Sequence, residues 1–294
     1  MPIRVVFCDM DGTFLTRDKR VLGENLALLD RLAEKSVPFV PCSGRIWRGL
    51  PAEVLAHPAT RYAIGSDGAV VMGLHDAPAT ATSPAATSAP VSADERPAMR
   101  LHLSSMGVRR TRELYERVRD LPVTFDVLWD GRVYSERRRL ELLSTFPIEP
   151  HDLRTIMSLR TPIDVDVPTL LEGLPDVERV TMIWADDATG AAARAAAAAD
   201  DTLHCTSSGP TNVEVMDLAT SKGSAARWLC AHLGVAPADA IAFGDSPNDL
   251  SMAPAVGTFV AMANASPDVK AAATCVSAHD CDHAGVARHL APLL

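Results

Sequence analysis

No run of apolar residues in this 294-residue chain approaches the ~18 that a membrane-spanning helix needs. Nor is a signal peptide expected, because Asp9 and Asp11 interrupt the apolar start almost at once. Cys-x-x-Cys pairs are missing too. The six cysteines (Cys8, Cys42, Cys205, Cys230, Cys275, Cys281) are scattered, several in apolar strand-like contexts. That pattern speaks against a zinc ribbon or a disulfide framework, and reduced, buried thiols in a cytoplasmic chain are expected. His102, His151 and His204 show no metal-ligand spacing. Positive charge is scarce, with 28 Lys and Arg against 37 Asp and Glu and a net charge of −9. Nucleic acid and membrane are therefore not expected as partners. A phosphorylated ligand stays possible, because a metal ion can supply positive charge locally.

What is present is ordinary globular composition, 47% hydrophobic and 22% charged, with enough chain for one large or two medium domains. Strands and helices alternate at the start: a strand over 4–9, a helix with Leu26, Leu29 and Leu32 on one face, and a strand over 37–43. A hairpin-like pair follows around Asp67-Gly68. The last third repeats the rhythm, with strands over 212–217, 240–245 and 258–262 and a helix over 221–234 ended by Gly234. This alternation predicts an α/β fold with a doubly wound, mainly parallel sheet.

The middle differs. Residues 76–98 are rich in Ala, Pro, Ser and Thr and read as a flexible insertion. Residues 99–205 carry further strands and helices, including a hairpin turning at Asp130-Gly131. We expect these residues to form a separate α+β domain inserted into a sheet domain of 1–75 and 206–294. The Arg137-Arg138-Arg139 run and Arg109-Arg110 read as solvated helix faces.

Ligand sites of parallel α/β sheets lie beyond the C-terminal strand ends. Four polar groups fall there: Asp9 and Asp11; Ser43-Gly44-Arg45; Ser221-Lys222-Gly223; and Gly244-Asp245 with Asn248-Asp249. Two carboxylates ~4 Å apart repel by about 4 kcal/mol at an effective dielectric of ~20. Four converging aspartates with one lysine therefore call for a hard divalent cation, and oxygen ligands favour Mg²⁺. A metal, a lysine and a hydroxyl beside a glycine amide suit phosphate.

In order and approximate spacing, Asp9-Met10-Asp11-Gly12-Thr13, Ser43-Gly44-Arg45, Lys222-Gly223 and Gly244-Asp245-Ser246-Pro247-Asn248-Asp249 resemble the four motifs of the haloacid dehalogenase superfamily. The Cof-type branch of Mg²⁺-dependent phosphatases, with its large inserted cap, is the nearest match. Residues 260–273 and 283–290 also resemble that branch. The resemblance implies Asp9 as nucleophile forming an aspartyl-phosphate, and Asp11 as general acid and then base. It implies Mg²⁺ held by Asp9, Asp11 (through its carbonyl), Asp245 and Asp249. Ser43, Gly44 and Lys222 would bind phosphate, Asn248 would reach the phosphate or orient Lys222, and Thr13 would hold the loop. The implied substrates are small phosphorylated metabolites of sugar phosphate or pyridoxal phosphate type, with the cap choosing among them. Two rival readings stand beside this one: a phosphomutase resembling phosphomannomutase, and a non-catalytic phosphate sensor. Asp67-Gly68 departs from the branch, which usually shows Asn-Gly. For Arg45 both a buried ion pair and a phosphate contact are open.

Overall fold

The computed structural model describes residues 2–74, 98–207 and 209–294. The insertion expected at 76–98 lies, apart from its last residue, outside the described residues. In chain order the strands are β1 (Val5–Asp9), β2 (Phe39–Cys42), β3 (Tyr62–Gly65), β4 (Val70–Gly73) and β5 (Met99–Leu103). Then come β6 (Asp126–Trp129), β7 (Arg132–Glu136), β8 (Arg160–Ile163), β9 (Arg179–Ile183), β10 (Leu203–Thr206) and β11 (Asn212–Asp217). The chain ends with β12 (Ala240–Gly244), β13 (Thr258–Ala261) and β14 (Cys275–Val276). They fall into two compact units, Met1–Leu103 with Ser221–Leu294, and Ser104–Thr220.

The first unit holds an eight-stranded sheet in the order β14-β13-β12-β1-β2-β3-β4-β5. It is parallel from β14 to β3, and β4 and β5 add an antiparallel edge. Central β1 is buried at every residue, Val5 through Asp9, as expected of a parallel strand covered on both faces. The chain leaves β1 toward β2 on one side and returns to β12 on the other. The crevice above the C-terminal end of β1 is therefore the switch point where such sheets bind ligands. Cys8 pairs with Phe243 and Asp9 with Cys42, so Asp9, Gly244 and Ser43 leave the sheet at adjoining levels.

The second unit is built on a six-stranded sheet, β10-β11-β9-β6-β7-β8. Helices Val108–Val118, Val167–Glu172 and Asp187–Ala198 bury Leu114, Val118, Leu171 and Ala193 in one core with Val127, Val180, Val213 and Val215 of the sheet. Pairing of β7 with β8 is parallel and the rest antiparallel.

The expected boundaries need correction at both ends. Residues 99–103, assigned to the inserted domain, form the edge strand β5 of the first sheet, with Leu101 in that core. Residues 212–217, assigned to the first sheet, pair with β9 and β10, and Val213 and Val215 fill the second core. An apolar strand of five or six residues announces burial but not its partner, so local pattern could not place either. Of the arginines read as solvated, Arg109, Arg137 and Arg138 are exposed, but two need correction. Arg139 is buried, its Nε donating to Glu136 Oε2 at 3.0 Å, and Arg110 Nη2 donates to Asp217 Oδ2 at 2.8 Å.

Candidate active site

Asp9 ends β1 and is only 4% exposed. The chain then turns sharply. Gly12 has φ +84°, and a Cβ there would lie 2.5 Å from Asp245 Oδ2, so glycine meets both the dihedral and the space. Thr13 Oγ1 donates to Asp245 Oδ1 at 3.1 Å, tying this loop to the end of β12.

Lys222 was expected at the end of a strand of the first sheet, but β11, which precedes it, belongs to the second sheet. It is the first residue of helix Lys222–Leu233, whose start is closed by a reciprocal cap. Ser221 Oγ accepts from Ser224 N at 3.0 Å and Ser224 Oγ from Ser221 N at 2.9 Å. Gly223 lets the helix approach the turn Pro247–Ala255: a Cβ there would sit 1.8 Å from Ser251 O. That approach delivers the fully buried Lys222 Nζ to Asp9 Oδ1 at 2.6 Å and to Asp249 Oδ1 at 2.7 Å.

The opposite oxygen, Asp249 Oδ2, accepts from the backbone N–H of Asp245 at 2.9 Å and of Ser246 at 3.1 Å. Asp249 thus spends most of its acceptor capacity inside the protein. Asp9 does not: among the described residues its Oδ2 is buried without a hydrogen-bond partner. Acceptor atoms of Asp9, Asp245 and Asp249 lie within 4.8 Å of one another. Burial, and then the Asp249 charge, push the Asp9 carboxyl well above its ordinary value, and the same two causes push Asp245 up to about 6. Burial alone would lower the Lys222 ammonium, but Asp249, Asp9 and Asp67 override it and hold it above its ordinary value. The cluster has more negative charge than one lysine can balance. A buried carboxylate oxygen without a partner and an all-oxygen donor set fit a hard divalent cation.

Asp11 is oriented differently from Asp9. Arg45 and Lys19 hold its carboxylate, and Arg45 Nη1 also donates to Gly49 O at 3.3 Å. Of the two roles open to Arg45, the structure shows the ion pair. Ser43, 1% exposed, accepts the Arg45 backbone N–H on Oγ at 3.1 Å. A Cβ on Gly44 would come within 3.0 Å of Asp67 Oδ2, so the Asp67 carboxylate stands against this loop. Asn248 Nδ2 donates to Asp67 Oδ1 at 3.0 Å, and its Oδ1 accepts from Ser246 Oγ at 2.9 Å. Asp67 takes φ +54°, a conformation that Asp and Asn tolerate.

All the site residues expected from the sequence therefore belong to one unit. Asp9, Lys222, Asp245 and Asp249 form one charged cluster, and Asp11 with Arg45 forms a pair beside it. Sequence reasoning missed Lys19, which carried no signal beyond an ordinary turn lysine, and Asn264, which bonds both Gly12 O and Asp245 Oδ2.

No helix among the described residues is long and apolar enough to cross a membrane. A Haemophilus influenzae protein is 25% identical over 95% of this chain and 94% of its own length. Bacillus subtilis YxeH is 25% identical over 99% of this chain and 98% of its own. Both are provisionally named phosphatases. A solved structure described as a subclass IIB sugar phosphatase superposes with a TM-score of 0.75 at 16% identity, covering 99% of this chain and 98% of that one. At that identity the likeness concerns the fold. The profile of the haloacid dehalogenase-like hydrolases matches residues 6–84 and 148–290, well over half of the sequence, and the chain belongs to that family.

Proposed function

We propose that this chain is a Mg²⁺-dependent phosphatase that hydrolyses small phosphorylated metabolites, of sugar phosphate or pyridoxal phosphate type, through an aspartyl-phosphate on Asp9. The observation that carries the reading is the asymmetry of Asp9. One oxygen is held by Lys222, while the other is buried and, among the described residues, unpartnered at the ligand-binding end of the sheet. A carboxylate kept in place yet short of hydrogen bonds is a suitable nucleophile toward phosphorus.

Asp9, Asp245 and, through its remaining capacity, Asp249 would hold the cation, with the Asp11 carbonyl as a further ligand. Bound there, Mg²⁺ would supply Lewis-acid charge to the phosphoryl oxygens. The chain's own residues do the rest. Ser43 Oγ and the Gly44 amide are offered to phosphate oxygens, and Lys222 balances charge between Asp9 and the incoming phosphoryl group. Asn248 braces Asp67 behind the Gly44 loop, and its amide is the further phosphate contact in this reading. Asp11 is the proton carrier: it protonates the leaving alcohol and then takes a proton from the attacking water. With Arg45 and Lys19 on its carboxylate it rests ionised, so taking up a proton requires loosening at least one of those cations.

The test is phosphate release from a panel of phosphorylated metabolites, with and without Mg²⁺, for wild type and Asp9→Asn. Release that needs both the metal and Asp9 is expected. Full activity in Asp9→Asn, or after thorough chelation, would sink the mechanism.

A further inference from the structure

Asn264 stands on the loop after β13, and its side chain joins three segments. Its Nδ2 donates to Gly12 O at 2.8 Å and to Asp245 Oδ2 at 3.3 Å, while its Oδ1 accepts from Cys281 N at 3.1 Å. The loop that carries it is strapped to the end of β12, Met262 N donating to Gly244 O and Ser266 N to Asp245 O, both at 3.0 Å. Asp245 is thereby held at every polar atom. Its N–H donates to Asp249 Oδ2 at 2.9 Å, its carbonyl accepts from Ser266, and its carboxylate oxygens accept from Thr13 Oγ1 at 3.1 Å and from Asn264.

The chemistry of the donor matters. Arg45 and Lys19 neutralise Asp11, whereas threonine and asparagine give Asp245 direction and leave its charge intact. A carboxylate aimed but not neutralised is what a cation needs from its supporting shell. The second bond of the same amide, to Gly12 O, reaches the turn that follows Asp9 and Asp11. One neutral side chain thus sets the separation of the two loops that supply the acids.

We propose that Asn264 is a positioning residue for the divalent-cation site, fixing Asp245 against the Asp9 loop; this rests on the cation site of the function proposed above. The test is direct titration of the metal-freed chain with Mn²⁺, the free ion being followed by electron paramagnetic resonance, for wild type, Asn264→Ala, Asn264→Ser and Asp245→Asn. The expected result is one ion per wild-type chain, with the affinity of Asn264→Ala lowered about tenfold or more at unchanged stoichiometry. Circular dichroism of that variant should keep the wild-type shape. If Asn264→Ala does not fold, Asn264→Ser carries the test: it keeps an oxygen for the Cys281 N–H and has no amide donor. Equal Mn²⁺ affinity in wild type and the folded variant overturns the role of Asn264, and the cation site stands. No Mn²⁺ binding to wild type removes the cation site and the role of Asn264 together.

Discussion

Arg45 grips Asp11 with two nitrogens, Nε to Oδ2 at 2.7 Å and Nη2 to Oδ1 at 2.5 Å, and Lys19 Nζ adds a contact to Oδ1 at 2.8 Å. Burial pushes the Asp11 carboxyl up, but the Arg45 charge and hydrogen bonds, then Lys19, more than offset it and hold it below its ordinary value. A carboxyl lowered in the fold contributes stability that is present above its unfolded pKa of about 4 and lost as pH falls through the folded one. Arg45→Ala should raise the Asp11 pKa and start the acid loss of stability at higher pH. Carbon NMR titration of the Asp11 carboxyl checks this, and an unmoved or lowered pKa would contradict it.

Lys222 is shared by two buried carboxylates. Lys222→Met leaves Asp9 and Asp249 facing each other without their cation, and removing one partner of a buried pair costs about 3–5 kcal/mol. Urea unfolding in a chelator should show a loss of that size. A loss under about 1 kcal/mol would mean that the two acids had already found other compensation.

The metal-free site has a pH signature of opposite sign to that of Asp11. Burial, with the Asp249 charge, lifts Asp245 to about 6, and Asp9 is raised too. Such groups hold their protons more tightly folded than unfolded, so this site costs stability as pH rises from about 4 through about 6. In a chelator, the thermal midpoint of wild type relative to Asp245→Asn should therefore fall between pH 5 and pH 7. Mg²⁺ at 100 times its dissociation constant should restore about 2.7 kcal/mol at pH 7. That gain should shrink toward pH 5, where protons compete for the same oxygens. A midpoint indifferent to Mg²⁺ at pH 7 would rule out the site.

Gly223→Ala tests the close approach that delivers Lys222. The added methyl would lie 1.8 Å from the backbone oxygen of Ser251, and backbone cannot rotate away as a side chain can. The helix start must shift, at a cost of about 2–3 kcal/mol, and Lys222 moves with it. Calorimetry and phosphate release should fall together; wild-type values for both would refute the close contact.

Asp67→Asn tests the carboxylate beside Gly44. Asparagine tolerates the positive φ and keeps an oxygen for Asn248, so the loop should hold. Removing a negative charge next to the proposed phosphate position should tighten competitive inhibition by inorganic phosphate about tenfold, the effect of one nearby charge at intermediate dielectric. An unchanged inhibition constant would place phosphate away from Asp67.

Much of the site was legible because its signals are local. A strand that runs Val5-Val6-Phe7 into Asp-x-Asp-Gly-Thr announces a buried β1 and a turn at its end. A glycine at Gly12 is a local requirement as well, whereas Ser221, read from the sequence as part of the helix, proved to be its cap only in the structure. Arg45 could not be assigned in this way. Whether its guanidinium meets phosphate or Asp11 depends on how the loops after β1 and β2 lie beside each other, and the structure puts it on Asp11.

By itself, then, the sequence determined the acids, the hydroxyl, the lysine and the alternation of strand and helix. Propensity, turn chemistry and hydrophobic period act over a few residues. Only the tertiary structure decided which sheet takes Met99–Leu103 and which takes Asn212–Asp217. It also decided that Lys222 bridges two acids 213 and 27 residues away, and that Asn264 clasps Gly12 to Asp245. These are pairings between distant segments, settled by which cores close over which strands. A polar side chain in a loop carries no mark of the partner that packing will bring to it.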